Sequence, residues 1–247
     1  MTEKVALLIP TTSKGKNNWK NIKDSFLFNN TIKTFLLTKC DEYLYEFYIG
    51  YDNNDRIFSL KQNQNIIHNL EKVFKNCSFH FIEFEKSITK GHLTVMWNIL
   101  FQNAYNNSNN YFYQCGDDIS FQTKNWIKDS IQILHENNGI GISGPLNNNC
   151  RILTQVMVSR KHMEIFGWFF PEEIINWCCD DWYNLLYREK HFFPLKNHYC
   201  SNDGGTPRYI INNDNNFNNN KLKMLRENVN LLVIKHKKIL DDYLLLQ

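Results

Sequence analysis

The chain opens on a continuous apolar run, Val5-Ala6-Leu7-Leu8-Ile9. An unbroken run of this kind predicts a strand over residues 4–9 buried on both faces, as in a parallel sheet covered by helices. A polar loop follows, Pro10-Thr11-Thr12-Ser13-Lys14-Gly15. Residues 19–37 then carry apolar side chains at helical spacing, with Ile22, Phe26, Ile32 and Phe35 facing inward. A second strand is predicted over 43–51 and is ended by Asp52-Asn53-Asn54-Asp55. A helix over 66–74 leads to residues 79–84, whose alternation predicts a third strand. Residues 92–105 form a helix with Leu93, Met96, Trp97, Leu100 and Phe101 on one face. A strand from Tyr111, a helix over 126–135 and a short strand over 140–143 complete this half.

Strand and helix thus alternate, which is the signature of an open, mixed but mostly parallel α/β sheet flanked by helices. In such sheets ligands bind beyond the carboxyl ends of the strands. Three predicted strand ends are polar: Thr11-Thr12, Asp52 to Asp55, and Asp117-Asp118. They are expected to face one cleft.

The second half is less regular. A strand over 153–158 and a short aromatic turn or helix over 164–170 precede a helix entered through Asp180-Asp181 and running to Tyr187. Residues 196–209 read as a loop by their Gly and Pro content. Residues 212–220 are an Asn-rich linker. The last segment, 222–246, places Leu222, Leu225, Val229, Leu232 and His236 at steps of three and four. That heptad spacing predicts a long helix packed on the body, with pairing of two copies through the same stripe, a homodimer, as the second outcome. The expected organisation is a body over 1–210, with a nucleotide-sugar half over 1–145 and an acceptor half over 146–210. The linker and C-terminal helix follow over 211–247.

Composition narrows the function. Hydrophobic residues make up 43% and aromatics 15% of 247 residues, enough for a sizeable globular core. A net charge of +3 suits a pocket for an anionic ligand and gives no broad basic stripe, so nucleic acid is not expected as a partner. No apolar run is long enough to span a membrane, and the first one is too short for a signal peptide. Seven cysteines without metal-finger spacing read as reduced thiols in a cytoplasmic protein.

The chemistry is expected around Tyr111-Phe112-Tyr113-Gln114-Cys115-Gly116-Asp117-Asp118. Gly116 ends a buried strand and two carboxylates follow at once. Such a pair is costly, because like charges repel and each loses hydration. Mn²⁺ or Mg²⁺ removes that cost and prefers carboxylate and phosphate oxygens. The plain alternative is a solvated turn. His198 is the expected further metal ligand, folded over the cleft from the Gly-rich loop. Arg208 and Lys90 are candidates for phosphate oxygens. Asp180-Asp181 is a second acidic pair at a helix start. Helix capping is the structural reading. The flanking Trp177 and Trp182 favour instead a sugar-binding wall beside a general base.

The Pro10-Thr11-Thr12 loop, Asp52 after the second strand, Lys90-Gly91-His92 with Asn98, and Cys115-Gly116-Asp117-Asp118 together resemble a GT-A fold glycosyltransferase, similar in size to short virus-encoded members. The resemblance implies transfer of a sugar, hexosyltransferase class, from a nucleotide diphosphate sugar, UDP-sugar favoured. The acceptor hydroxyl would sit on a glycan, a protein or a small molecule. It implies that Asp118 binds the Mn²⁺ or Mg²⁺ bridging the diphosphate. Asp117 would contact ribose or metal, Asp52 would hold the nucleoside, and Thr11 would lie where the first loop touches it. Asp181 or Asp180 would deprotonate the acceptor if the enzyme inverts. His198, with Gly204-Gly205 and Pro207, would complete the metal site. One departure from the family's D-x-D pattern is Gly116, which stands where the first acid is expected.

Three other readings compete. A non-catalytic sugar- or partner-binding module on the same fold would keep Asp118 and turn over nothing. A nucleotidyltransferase would need a Gly-rich basic loop after the first strand, and Pro10 to Lys16 holds only Gly15 and two lysines. A viral RNA polymerase, which also carries a Gly-Asp-Asp turn, needs fingers and thumb regions for which the chain is short.

Overall fold

A computed structural model describes residues 2–149, 151–205 and 207–246. Its strands in chain order are β1 (Lys4–Thr11), β2 (Leu44–Tyr51), β3 (Cys77–Glu83), β4 (Tyr111–Gln114), β5 (Ile119–Phe121), β6 (Ile142–Leu146), β7 (Val156–Ser159) and β8 (Phe192–Asn202). The helices are α1 (Lys33–Thr38), α2 (Lys61–His68), α3 (Leu93–Asn106), α4 (Trp126–Glu136), α5 (Arg160–Phe166), α6 (Cys179–Tyr187) and α7 (Asn219–Leu245). The strands form one sheet in the order β3-β2-β1-β4-β7-β6-β8-β5. The first four in that order are mutually parallel, β7 runs against β4 and β6, β6 runs parallel to β8, and β5 runs against β8. The expected mixed, mostly parallel sheet with flanking helices is observed.

The apolar run of β1 is explained by burial on both faces. Ala6 and Leu8 pack with α3, α5 and α6 on one side, while Val5, Leu7 and Ile9 pack against Phe35 of α1 and Trp126 of α4 on the other. All five are fully buried. Because β2, β1 and β4 are parallel neighbours, their carboxyl ends emerge at one edge.

Residues 19–37 do not form one helix. Asn21 caps a short 3₁₀ turn, Ile22–Asp24, and the extended backbone of Ser25 ends it. A π-helical stretch, Leu27–Ile32, then runs into α1. This wider winding directs Thr31 and Thr34 at the acidic turn. Thr31 Oγ1 accepts from Ile119 N at 3.1 Å, and Thr34 Oγ1 accepts from Phe121 N at 2.9 Å. Residues 196–202, expected as loop, are the end of β8, because β5 offers them a pairing partner. Of the aromatic stretch 164–170, the first three residues end α5, which Ser159 caps and Gly167 stops with φ 77°, and the rest is a bend.

The C-terminal stripe packs on the body, as expected. Leu225, Val229, His236 and Leu240 of α7 are buried. Among the described residues no helix is long and apolar enough to cross a membrane.

Candidate active site

Two of the three polar strand ends, Thr11-Thr12 and Asp117-Asp118, line one cleft of about 700 Å³, a size typical of small-molecule sites, while the third, Asp52 to Asp55, stands behind the Thr12 loop. Its other wall comes from residues 147–149, 151–152 and 154–155, the start of α6, residues 202, 205 and 207–209, and the first turns of α7.

The strand-end acids are held by their neighbours. Asp52 accepts from Thr12 Oγ1 at 2.9 Å and from the Tyr209 hydroxyl at 3.2 Å. Asp55 accepts from the backbone N–H groups of Ser13, Ile57 and Phe58 and from Ser13 Oγ, which makes it a strut between two loops. Asp117 is 1% exposed and accepts from Thr11 Oγ1 at 2.5 Å. Both terminal nitrogens of Arg208 grip its two oxygens, a bidentate clamp that suits a planar guanidinium. Arg208 also donates to the Thr12 carbonyl at 3.1 Å. Pro10, Thr11 and Thr12 thus lie where expected, and Arg208 joins them from a segment nearly two hundred residues away.

Asp118 differs from its neighbour. Arg208 Nη2 stands 3.9 Å from Asp118 Oδ2, beyond hydrogen-bond reach. Burial, reinforced by the charge of Asp117, pushes the Asp118 carboxyl up to about 6, and Arg208 opposes the rise. Two glycines make room for it. A Cβ on Gly116 would stand 2.7 Å from Asp118 Oδ1, and a Cβ on Gly204 would stand 1.8 Å from Oδ2. A side chain at Gly116 would therefore displace the Asp118 carboxylate from its present position.

Across the cleft, Cys178 takes a left-handed conformation (φ 64°) and starts α6. Neither aspartate is the N-cap; both lie within the first helical turn and line the cleft. Asp180 accepts its neighbour's N–H at 3.1 Å. Burial, then the charge of Asp181, pushes the Asp180 carboxyl up to about 6. Trp177 is 41% exposed and lines the same wall.

Four expected site residues do not line the cleft: Asp52, set behind it on Thr12 and Tyr209, and the three that follow. His198 lies on β8, where its ring bonds Asp129 Oδ2 at 2.7 Å and Thr123 Oγ1 at 3.2 Å, on the α4 side of the sheet. Its position follows from the strand that replaces the predicted loop. Trp182 is fully buried and donates from Nε1 to His236 Nδ1 at 3.1 Å, so it is core beneath α7 and not a sugar platform. Lys90 precedes α3 by a turn, and its Nζ is 3.5 Å from the Asn53 carbonyl, at the rim beyond Asp52.

Several contributors escaped the sequence reading. Tyr209 packs on Gly91 while bonding Asp52. Asn176 ties the carbonyls of Gly91 and Ile210 together. Arg151 and Arg226 reach the facing wall from separate elements. Asp55 sat in the acidic tetrad already noted; the others carry no local signal, since their roles come from loops meeting in space.

A divalent cation fits this site on one carboxylate. Asp117 is occupied by Arg208 and Thr11, and among the described residues no group of three or more His, Cys, Asp or Glu is placed to hold a metal. Asp118 remains, half-buried and under-compensated. One carboxylate plus phosphate oxygens is a common arrangement for Mg²⁺-type ions.

No family model and no curated protein matches the chain. Solved structures do. The structure of S. aureus TarS residues 1–349 in complex with UDP-GlcNAc matches with a TM-score of 0.54 at 12% identity, over 83% of this chain and 60% of that one. The complex with UDP matches with a TM-score of 0.53 at 13% identity, over 80% and 60%. A further TarS structure gives a TM-score of 0.51 at 13% identity, over 80% and 36%. This chain spans less than two thirds of the TarS chains that it matches. At such identity the likeness shows the fold alone, and that fold is the GT-A type expected from the order of the motifs.

Proposed function

We propose that this protein transfers a sugar from a nucleotide diphosphate sugar, UDP-sugar foremost, to an acceptor hydroxyl, with a divalent cation at Asp118. The observation that carries the reading is the placement of Asp118 and the Asp180-Asp181 pair on facing walls of one cleft, at the carboxyl edge of the sheet. That TarS, on the same fold, was solved with UDP and with UDP-GlcNAc supports the choice of donor.

The nucleoside lies along the Pro10-Thr11-Thr12 loop, with Asp52 and Tyr209 beneath it. Arg208, seated on Asp117, turns its positive charge to the diphosphate side of the cleft. Mn²⁺ or Mg²⁺, when bound, offsets charge developing on the departing diphosphate. Asp180 takes the proton of the acceptor hydroxyl in an inverting displacement at the anomeric carbon. Its raised carboxyl is the better base near neutrality, because a base works best with a value close to the working pH. Trp177 offers an exposed aromatic face for the sugar ring.

The test is release of UDP from a panel of UDP-sugars, with and without acceptor oligosaccharides, in Mn²⁺ and in EDTA. Release that needs the cation and is lost in Asp118→Asn supports the reading. Tight UDP binding with no release under any condition would replace it with a binding module.

A further inference from the structure

The cleft lining holds four carboxylates, Asp117, Asp118, Asp180 and Asp181, and cations that sugar transfer to a neutral acceptor leaves without a role. Its lining includes three arginines, Arg151, Arg208 and Arg226. Arg208 is answered by Asp117. Among the described residues neither Arg151 nor Arg226 has a carboxylate within 4.0 Å. They come from different parts of the fold. Arg151 lies in the amide-rich connection between β6 and β7, where its N–H donates to Asn149 Oδ1 at 3.2 Å. Arg226 lies on α7, one turn beyond Leu222, and those two positions share the helix face that meets the cleft. The other charged groups of that helix that form ion pairs do so outside the cleft: Lys221 with Asp214, Lys235 with Glu173, and Lys237 with Glu189.

The acids opposite sharpen the point. Asp180 and Asp181 line the same wall, and the charges of both Asp181 and Arg226 are felt at Cys178. Yet no ion pair joins Arg226 to either acid. An acceptor carrying negative charge would be repelled by these carboxylates unless cations stood beside them. A neutral acceptor would need the acids, the amides of Asn147 to Asn149 and the Trp177 face, but no arginine.

We propose that the acceptor is an acidic glycan. Its hydroxyl is presented to Asp180, and a carboxylate or phosphate group on the same molecule is held by Arg151 and Arg226. The proposal rests on the transferase reading and adds the acceptor's chemical class to it. The two arginines are specificity residues for the acceptor and have no part in holding the nucleotide.

The test is calorimetric titration of the full chain, saturated with UDP and Mn²⁺, with three oligosaccharides of equal length. One is neutral, one bears hexuronic acids and one bears phosphate monoesters. At least one acidic probe should bind about tenfold or more tighter than the neutral one, as charge-assisted hydrogen bonds to two guanidinium groups require. The Arg151→Gln/Arg226→Gln double variant should lose that preference with UDP affinity unchanged, and Arg226→Lys should keep part of it. Equal or tighter binding of the neutral probe overturns the proposal. So does a preference that survives in the double variant, failure of every glycan to bind, or a double variant that weakens UDP more than glycan. UDP binding together with any of those results removes this inference alone. Absence of UDP binding removes the transferase reading and this inference with it.

Discussion

The two walls of the cleft treat their acids in opposite ways. On the strand-end side Asp117, with Asp52 and Asp55 behind it, is met by hydroxyl, backbone or guanidinium donors. On the facing wall Asp180 is half-buried with another acid beside it and, among the described residues, no cation within ion-pair distance, and Asp118 sits between the two regimes. A buried charge with partners is structure. A buried charge without them is poised to accept something, a proton or a metal, and that difference separates the holding residues from the reacting ones.

The largest test of that contrast is at Asp118. Asp118→Asn should lower the rate of transfer by about a thousandfold, as loss of the group that positions the charge-stabilising cation does. Steady-state kinetics with saturating Mn²⁺ measures it. Asp180→Asn should cost about a hundred- to ten-thousandfold as the loss of a general base, and Asp181→Asn less. The wild-type rate should rise with pH through about 6 as Asp180 loses its proton, and that limb should vanish in the Asn variant.

Breaking the strand-end wall should act on stability as well as binding. Arg208→Ala leaves Asp117 buried without its clamp and should cost about 3–5 kcal/mol in denaturant titrations. Arg208→Lys should retain most of the stability and raise the donor KM about tenfold, because an ammonium cannot reproduce the bidentate grip.

Stability against pH offers a smaller effect of opposite sign. Burial raises Asp118 and Asp180 to about 6 in the fold, against about 4 unfolded. Each therefore stabilises the fold below about pH 4, and that contribution is lost as pH rises through about 6. Asp118→Asn should stabilise the metal-free protein at pH 7 by about 1–3 kcal/mol and leave it nearly unchanged at pH 4. A Trp pair gives the smallest contrast in activity. Trp182→Ala should cost about 3–5 kcal/mol of stability with little change in KM, and Trp177→Ala the reverse.

Much of the strand-end wall was legible in the sequence. Its acids end continuous apolar strands, and parallel topology alone places such ends at one edge, so Thr11, Thr12, Asp52, Asp117 and Asp118 could be grouped from spacing. The sheet and the C-terminal helix were legible for the same reason, since their apolar periods report burial directly. The facing wall was not. Asp180 and Asp181 stood out as a pair, but both tryptophans beside them looked alike, and only the docking of α7 buries Trp182 and leaves Trp177 exposed. His198 was misplaced because β8, held between β6 and the short edge strand β5, carries no clear alternation there. Arg208 and Tyr209 meet Asp117 and Asp52 through long-range closure that no local pattern records.

The central claim is that Asp118 binds the donor's cation while Asp180 performs the chemistry. Calorimetry of UDP with the wild type, Asp118→Asn and Asp180→Asn, each with Mn²⁺ and with EDTA, tests it most directly. The account predicts Mn²⁺-dependent binding in the wild type and Asp180→Asn and its loss in Asp118→Asn, with turnover strongly reduced in both variants. UDP binding that ignores both Mn²⁺ and Asp118, or no UDP binding by the folded wild type, would contradict it.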